Sequence, residues 1–436
     1  MKTFTSHNRP REVLDSILQN DATLSKEQRA AKYAKMSVSP YRFFRGTNHL
    51  FWQDFFRDWH FALFGGVPEC QTWIQGDAHV YNFGAFGNEN GEIIYGMDDF
   101  DDSIIADYQY DLWRLAISTC LDCRENGFFS TGKIQKAIRS LAKGYLKEAT
   151  APNHGQTQAK PLKRFLKIVK RKAHRHELLE KWTDSANGKR TFRIEKEKLA
   201  AMPSDEQEKL AQALEKHLVN FQHPESPSRF HFRIKDAAYR LEAGTGSLGV
   251  LRIYALIEGS GHRANDDVIL DIKEQTPPQV CREMSWSELQ EYQECFPDEG
   301  QRHARAFRAI SRRPDRYLGW MSWEGKQFSI RERSVYKEDF PTDETRKFKH
   351  YRAMARQWGR LLARGHVRGA ADLGPEQRQA FTLHIKGIRK KRKREFLSFL
   401  QALAGSYADC VEQDFGTFLS EINLLVEGRP HSINHQ

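Results

Sequence analysis

Gly76-Asp77-Ala78-His79-Val80-Tyr81-Asn82-Phe83-Gly84 is followed shortly by Gly96-Met97-Asp98-Asp99-Phe100-Asp101-Asp102. Together they gather carboxylates, a histidine, a carboxamide and glycines. Trp73 and Ile74 lead into the first stretch, and Ile93, Ile94 and Tyr95 into the second. Short apolar runs that end in acidic turns predict buried strands delivering polar side chains to one place.

Within this region Asp77 and Asn82 stand five residues apart. Phosphoryl-transfer enzymes use that spacing to hold a catalytic aspartate and a metal-binding asparagine in one loop. The chemistry explains the residue types: a carboxylate accepts the proton of an attacking hydroxyl, and an amide oxygen completes a magnesium shell. His79 braces the loop in this reading. Asp99 is the second metal ligand and Asp101 its helper, since a hard cation offsets repulsion among clustered carboxylates. Other readings stand beside it. Aspartates also cap helices and close turns, and two carboxylates also suit a glycosidase. The alternating acids and distal Glu of a calcium loop are absent, and His79 is a lone imidazole where a metallohydrolase needs several.

The chain has 436 residues, enough for two or three domain-sized units. Hydrophobic residues make up 39% and charged residues 29%, so an ordered globular protein with a well-solvated surface is expected. The formal charge of +11 favours anionic partners without choosing among nucleotide, phosphorylated metabolite and nucleic acid. No apolar run reaches the roughly 18 residues of a membrane helix, and the first residues carry no apolar signal core, so a cytoplasmic location with no membrane partner is expected. The six cysteines are scattered and read as buried thiols.

Along the chain, Arg9 to Lys35 reads as helical with a break at Asn20-Asp21, and Ser37-Val38-Ser39-Pro40 as a turn. An aromatic helix is expected from Leu50 to Leu63. Before it, Arg42 and Arg45 lie between aromatics as weaker candidates for contacting substrate or phosphate. Helices are expected from Tyr110 and from Gly132 to Ala149. Residues 150 to 229 read as a basic helical insertion, with Lys163 to Lys181 as a candidate nucleic-acid contact or a solvated amphipathic face. From Phe230 the pattern turns β-rich: two strand-like runs flank Gly244-Thr245-Gly246-Ser247-Leu248-Gly249, and a third carries Lys273. Backbone amides around Gly244, Gly246, Ser247 and Gly249 would approach phosphates, and Lys273 would pair with them. The C-terminal part reads as helical, including Tyr351 to His366, roughly Arg378 to Leu403, and Cys410 to Val426.

Gly76-Asp77-Ala78-His79-Val80-Tyr81-Asn82 resembles the Gly-Asp-x-His-x-x-Asn catalytic loop of aminoglycoside and choline phosphotransferases. Asp98-Asp99-Phe100-Asp101 resembles their metal-binding segment, and Tyr110-Asp111-Leu112 the structural Asp-Leu that follows. More closely, these stretches with Ser39-Pro40-Tyr41-Arg42-Phe43-Phe44-Arg45-Gly46, the glycine-rich hairpin, Ile272-Lys273-Glu274 and Leu361-Leu362-Ala363-Arg364-Gly365-His366 resemble an uncharacterised bacterial family, domain of unknown function 2252. That resemblance spans most of residues 35 to 370 and implies a kinase-like fold without naming a substrate.

In ordinary kinases the glycine-rich loop and lysine precede the catalytic loop; here they follow it. The expected architecture is therefore α+β, a protein-kinase-like two-lobe fold in circularly permuted order. Residues 230–335 would form a small antiparallel β lobe, and 1–229 and 336–436 would join as a large, mainly helical lobe. The expected activity is ATP- and Mg2+-dependent phosphotransfer to an unidentified acceptor hydroxyl, with Asp77 as base. Nucleotidyl (AMP) transfer, a nucleotide-binding pseudokinase and a nucleic-acid-binding protein are the alternatives.

Overall fold

The computed structural model describes residues 8–151, 158–186, 189–195, 198–217, 232–241, 249–259, 266–311 and 314–429. The chain opens with helices α1 (Arg9–Asn20), α2 (Lys26–Met36), α3 (Pro40–Gly46) and α4 (Asn48–Phe55). Ser25 and Gln28 cap α2 reciprocally, and Ser39 caps α3 with Pro40 in its first turn. The helix expected to run to Leu63 stops at Phe55. Arg57 adopts φ +58°, and Asp58 then accepts from the His60 amide to start a separate short turn of helix at Trp59–Leu63.

Strands β1 (Gln71–Ile74), β2 (Phe83–Gly87), β3 (Ile93–Met97) and β4 (Ile104–Asp107) come next. β1 pairs antiparallel with β4, and β2 with β3. Ile74 lies opposite Ile104 and Phe83 opposite Met97, so the β1–β2 and β3–β4 connections both cross from one ladder to the other. Pairing alone thereby sets residues 75–82 beside residues 98–103.

α5 (Gln109–Asn126) is buried on every side from Gln109 to Cys123, and α6 (Thr131–Ala149) packs beside it. The basic region holds α7 (Lys160–Lys172) and α8 (Arg175–Trp182), β5 (Thr183–Ala186), β6 (Lys189–Phe192) and β7 (Leu199–Ala201), and α9 (Ser204–Lys216). α7 buries Leu162, Leu166 and Val169 in the main core and leaves Lys163, Arg164, Lys167 and Lys170 in solvent.

The strands expected after Phe230 are β8 (Ile234–Arg240), β9 (Arg252–Ile257) and β10 (Val268–Glu274). α10 (Trp286–Cys295), α11 (Glu299–Ile310), β11 (Gly319–Trp323), β12 (Lys326–Glu332) and β13 (Glu338–Asp339) follow. An antiparallel six-stranded sheet runs in the order β11-β12-β10-β9-β8-β7. Its strands alternate: Ile253, Ala255, Leu270 and Ile272 pack with Leu210 and Leu214 of α9, while Tyr254, Leu256 and Ile269 pack with Leu179 and Trp182 of α8. β7, α8 and α9, from within the stretch read as an insertion, thus supply an edge strand and helices for both faces of this sheet.

The chain closes with α12 (Phe348–Asp372), α13 (Pro375–Gly387) and α14 (Lys393–Glu427). One continuous core draws on Val13 at one end of the chain and Leu425 at the other, so the N-terminal and C-terminal helices fold together. The result is a mixed α+β protein with antiparallel sheets. All six cysteines are free thiols, four of them buried. Among the described residues no helix is long and apolar enough to cross a membrane.

Candidate active site

The loop after β1 is fixed by a buried carboxylate. Asp111, in the first turn of α5, accepts from the amides of Gln75 (2.7 Å) and Gly76 (2.9 Å). His366 of α12 places Nε2 3.1 Å from the same carboxylate, and its Nδ1 lies 2.7 Å from the Tyr145 hydroxyl. Two motifs of the sequence reading, Tyr110-Asp111-Leu112 and the Gly365-His366 end of its segment, therefore meet behind the loop. Gly76 has φ +79°, and an added Cβ would collide with the Asp102 carbonyl oxygen, so both the turn and the close approach of the second loop require glycine here.

The second loop is held from other sides. Asn48 donates to Asp102 Oδ2 (2.8 Å) and to the Gly76 carbonyl (3.1 Å), tying the loops together. Arg302, fully buried on α11, donates to the carbonyls of Asp101 (2.7 Å) and Ser103 (2.6 Å) while its Nε pairs with Glu299 (2.6 Å). Asn82 donates to the Asp77 carbonyl at 2.9 Å, closing the first loop on itself. No described donor reaches Asn82 Oδ1.

The loops form one wall of a cavity of about 160 Å³. Asp77, His79, Asn82, Asp99 and Asp101 line it, Arg45 reaches it from α3, and Lys273 reaches it from the end of β10. Lys273 lies across from Arg252 of β9, and Val250, just before β9, also lines the cavity. The same end of the sheet thus carries Lys273 and the described flank of the glycine-rich turn. Lys273 makes an ion pair with Asp101, which also accepts from Gln275 Nε2 at 3.1 Å. Glu299 of α11 is engaged with Arg302 and Tyr292, and Glu288 of α10 with Arg57.

Burial and charge then set the protonation of the wall. Burial pushes the Asp77 carboxyl up to about 7 against the opposing pull of Arg114, and Asp102 and Asp99 add to the rise. His79, whose Nε2 is 3.7 Å from Asp77 Oδ2, is held well below its ordinary value by burial and by the cations Arg45 and Arg114, so it is neutral. Burial also raises Asp102, against hydrogen bonds from Gln279 and Asn48. Burial works against charge on Asp101 too, but Lys273 prevails and the carboxyl lies below its usual range.

The donor chemistry suits a hard divalent cation: Asp99 and Asn82 present oxygen to the same cavity, and Gln75 Oε1 and Gln279 Oε1 are buried there without hydrogen-bond partners. Among the described residues no three His, Cys, Asp or Glu side chains converge as a complete metal site.

Of the residues singled out in the sequence, Gly244, Gly246 and Ser247 lie outside the described residues, while Gly249 is described, with φ +88°. Arg42 is exposed and is not among the residues lining the cavity. Sequence reasoning missed Arg114, Asn48, Asp102 and Arg302. Arg114 left a signal, an arginine inside the apolar run Tyr110 to Ile117 of a buried helix, which needs an anionic partner. That partner is Asp77. Asn48 and Arg302 left none, because their contacts are to backbone and carboxylate groups far away in sequence.

No curated protein and no solved structure matches the chain. The family model described as "uncharacterized protein conserved in bacteria (DUF2252)" matches residues 25–421, and the chain belongs to that family.

Proposed function

We propose that the protein is a phosphotransferase of permuted kinase-like arrangement, moving the terminal phosphoryl group of ATP to an acceptor hydroxyl with Mg2+ as its metal. The observation that carries this reading is the single cavity shared by Asp77, Asn82, Asp99 and Asp101 with Lys273, which lies 172 residues beyond Asp101. A metal held by Asn82 Oδ1 and Asp99 would supply charge neutralisation for the phosphates.

The chain's own groups divide the remaining work. Arg114 holds Oδ1 of Asp77, leaving Oδ2 to accept the acceptor's proton. As the acceptor oxygen bonds to the terminal phosphorus, the bridging P–O bond breaks and the nucleoside diphosphate leaves with that electron pair. A carboxyl near 7 suits a base at neutral pH. Lys273, now paired with Asp101, would donate to phosphate oxygens from the opposite wall. Neutral His79 lies beside Asp77, with Nε2 3.7 Å from Oδ2.

The test is ATP turnover with magnesium across a panel of hydroxyl acceptors, comparing the wild type with Asp77→Asn and Asp99→Asn. Losses of about 10²–10⁴-fold are expected; unchanged turnover in both variants removes the assignment. The mass added to the acceptor reads the group moved, and a nucleotidyl adduct would replace the phosphotransfer reading.

A further inference from the structure

We propose that Arg45 is an oxyanion subsite at the acceptor side of this cavity, so that the acceptor carries a phosphate or carboxylate group beside its reacting hydroxyl. The word acceptor rests on the phosphotransfer reading; the anion site itself does not.

Three cations near the cavity are already committed. Lys273 pairs with Asp101, Arg114 with Asp77 and the Phe44 carbonyl, and Arg302 with Glu299 and loop carbonyls. Arg45 lines the same cavity, yet among the described residues its guanidinium makes no ion pair or hydrogen bond, and its Nε is buried without a partner. The group is nonetheless held in place, with Cζ 5.5 Å from the centre of the Tyr81 ring. Asp339 feels its charge but does not pair with it, and burial keeps the Asp339 carboxyl up at about 6. A half-buried guanidinium is costly to leave unpaired, and its planar fork matches an oxyanion through two parallel hydrogen bonds.

Position decides which substrate this cation meets. Arg45 acts on His79 and Tyr81, and His79 is the neighbour of Asp77 Oδ2. Lys273 works among Asp101 and Gln275, a set that shares no member with Arg45's surroundings. A hydroxyl handed to Asp77 Oδ2 therefore sits on the Arg45 side, where an anion on the same molecule would reach the guanidinium.

The experiment is titration calorimetry with sodium sulfate at constant ionic strength, without nucleotide or divalent metal, on the wild type, Arg45→Gln, Arg45→Lys and Arg42→Gln. Arg45→Gln is expected to weaken sulfate binding about tenfold or more, because a charge-assisted pair is lost. Arg45→Lys should recover part of it, and Arg42→Gln, at an exposed arginine outside the cavity, should stay within about twofold of wild type. Circular dichroism and melting of each variant check the fold. If Arg45→Gln does not fold, Arg45→Lys alone decides, with sulfate binding equal to wild type overturning the proposal. It is also overturned if the wild type does not bind sulfate, if Arg45→Gln binds it as the wild type does, or if Arg42→Gln weakens binding as much as Arg45→Gln does. Sulfate binding that depends on Arg45 in a protein whose turnover ignores Asp77 would sink phosphotransfer and leave the anion site standing.

Discussion

The Asp77 loop and the Asp101 loop line one cavity, and each offers a carboxylate to a cation, yet the two carboxylates hold protons in opposite ways. Asp77 touches Arg114, and its carboxyl still rises to about 7, because burial and the neighbouring Asp102 and Asp99 outweigh one guanidinium. That guanidinium also donates to the Phe44 carbonyl. Asp101 touches Lys273, receives a further hydrogen bond from Gln275, and falls below the ordinary range despite its own burial. Contact with a cation therefore does not settle a carboxylate's protonation; the balance of donors against neighbouring carboxylates does. Asp77 is placed to take a proton near neutrality, and Asp101 remains a fixed negative charge.

Exchanging the charge for an amide at each position breaks the comparison most directly. Asp77→Asn removes the proton acceptor and should lower kcat by about 10²–10⁴-fold. Asp101→Asn leaves the acceptor in place and releases Lys273, so its effect should fall on nucleotide KM, by about tenfold, with kcat changed far less. Steady-state kinetics with ATP varied reads both. Loss of kcat at Asp101 with Asp77 silent would reverse the roles assigned to the two loops.

The residues of the two loops were legible in the sequence but their contrast was not, and the reason lies in which interactions are local. Asp77 and Asn82 sit in one loop, and their link is a contact over five residues. The strands β8, β9 and β10 show themselves through alternation, and the helices through their apolar spacing. The break at Arg57 was illegible because a positive φ on arginine has no sequence signature. Asp101 was read as a metal helper, and nothing in its neighbourhood announces a lysine 172 residues on. Asn48 and Arg302 act through long-range contacts to backbone and carboxylates, which no local pattern encodes, and Arg114 announces its need of an anion without naming Asp77.

The support beneath the Asp77 loop gives the next-largest effects. Asp111→Ala strands two backbone amides and the His366 ring in a fully buried place, at about 1–3 kcal/mol for each unsatisfied group. Urea unfolding should therefore show a loss of about 3 kcal/mol or more. Gly76→Ala should cost about 1–3 kcal/mol, since it combines a left-handed backbone with a collision against Asp102. If Gly76→Ala left stability and turnover untouched, the close approach of the two loops would be wrong.

The smallest effect sharpens the comparison instead of breaking it. Asp77 should titrate near 7 in the metal-free protein, followed by carboxyl carbon NMR, while Asp101 stays ionised far below. Between about pH 4, where an unfolded aspartate has lost its proton, and 7, the folded chain keeps a proton on Asp77 that the unfolded chain lacks. This one group therefore lowers stability as pH rises through that window, and its contribution levels off above 7. Asp102→Asn removes one of the charges that raise it, and the remaining amide oxygen can still accept a hydrogen bond, so the Asp77 midpoint should move down. Arg114→Met removes the opposing cation, and the midpoint should move up. Activity should rise with pH through the same midpoint, because the base works only when deprotonated, and magnesium should shift it downward by favouring the charged form. Opposite displacements in the two variants would establish that the neighbouring carboxylates and the guanidinium compete at Asp77; an unmoved midpoint in both would mean that burial alone sets its proton.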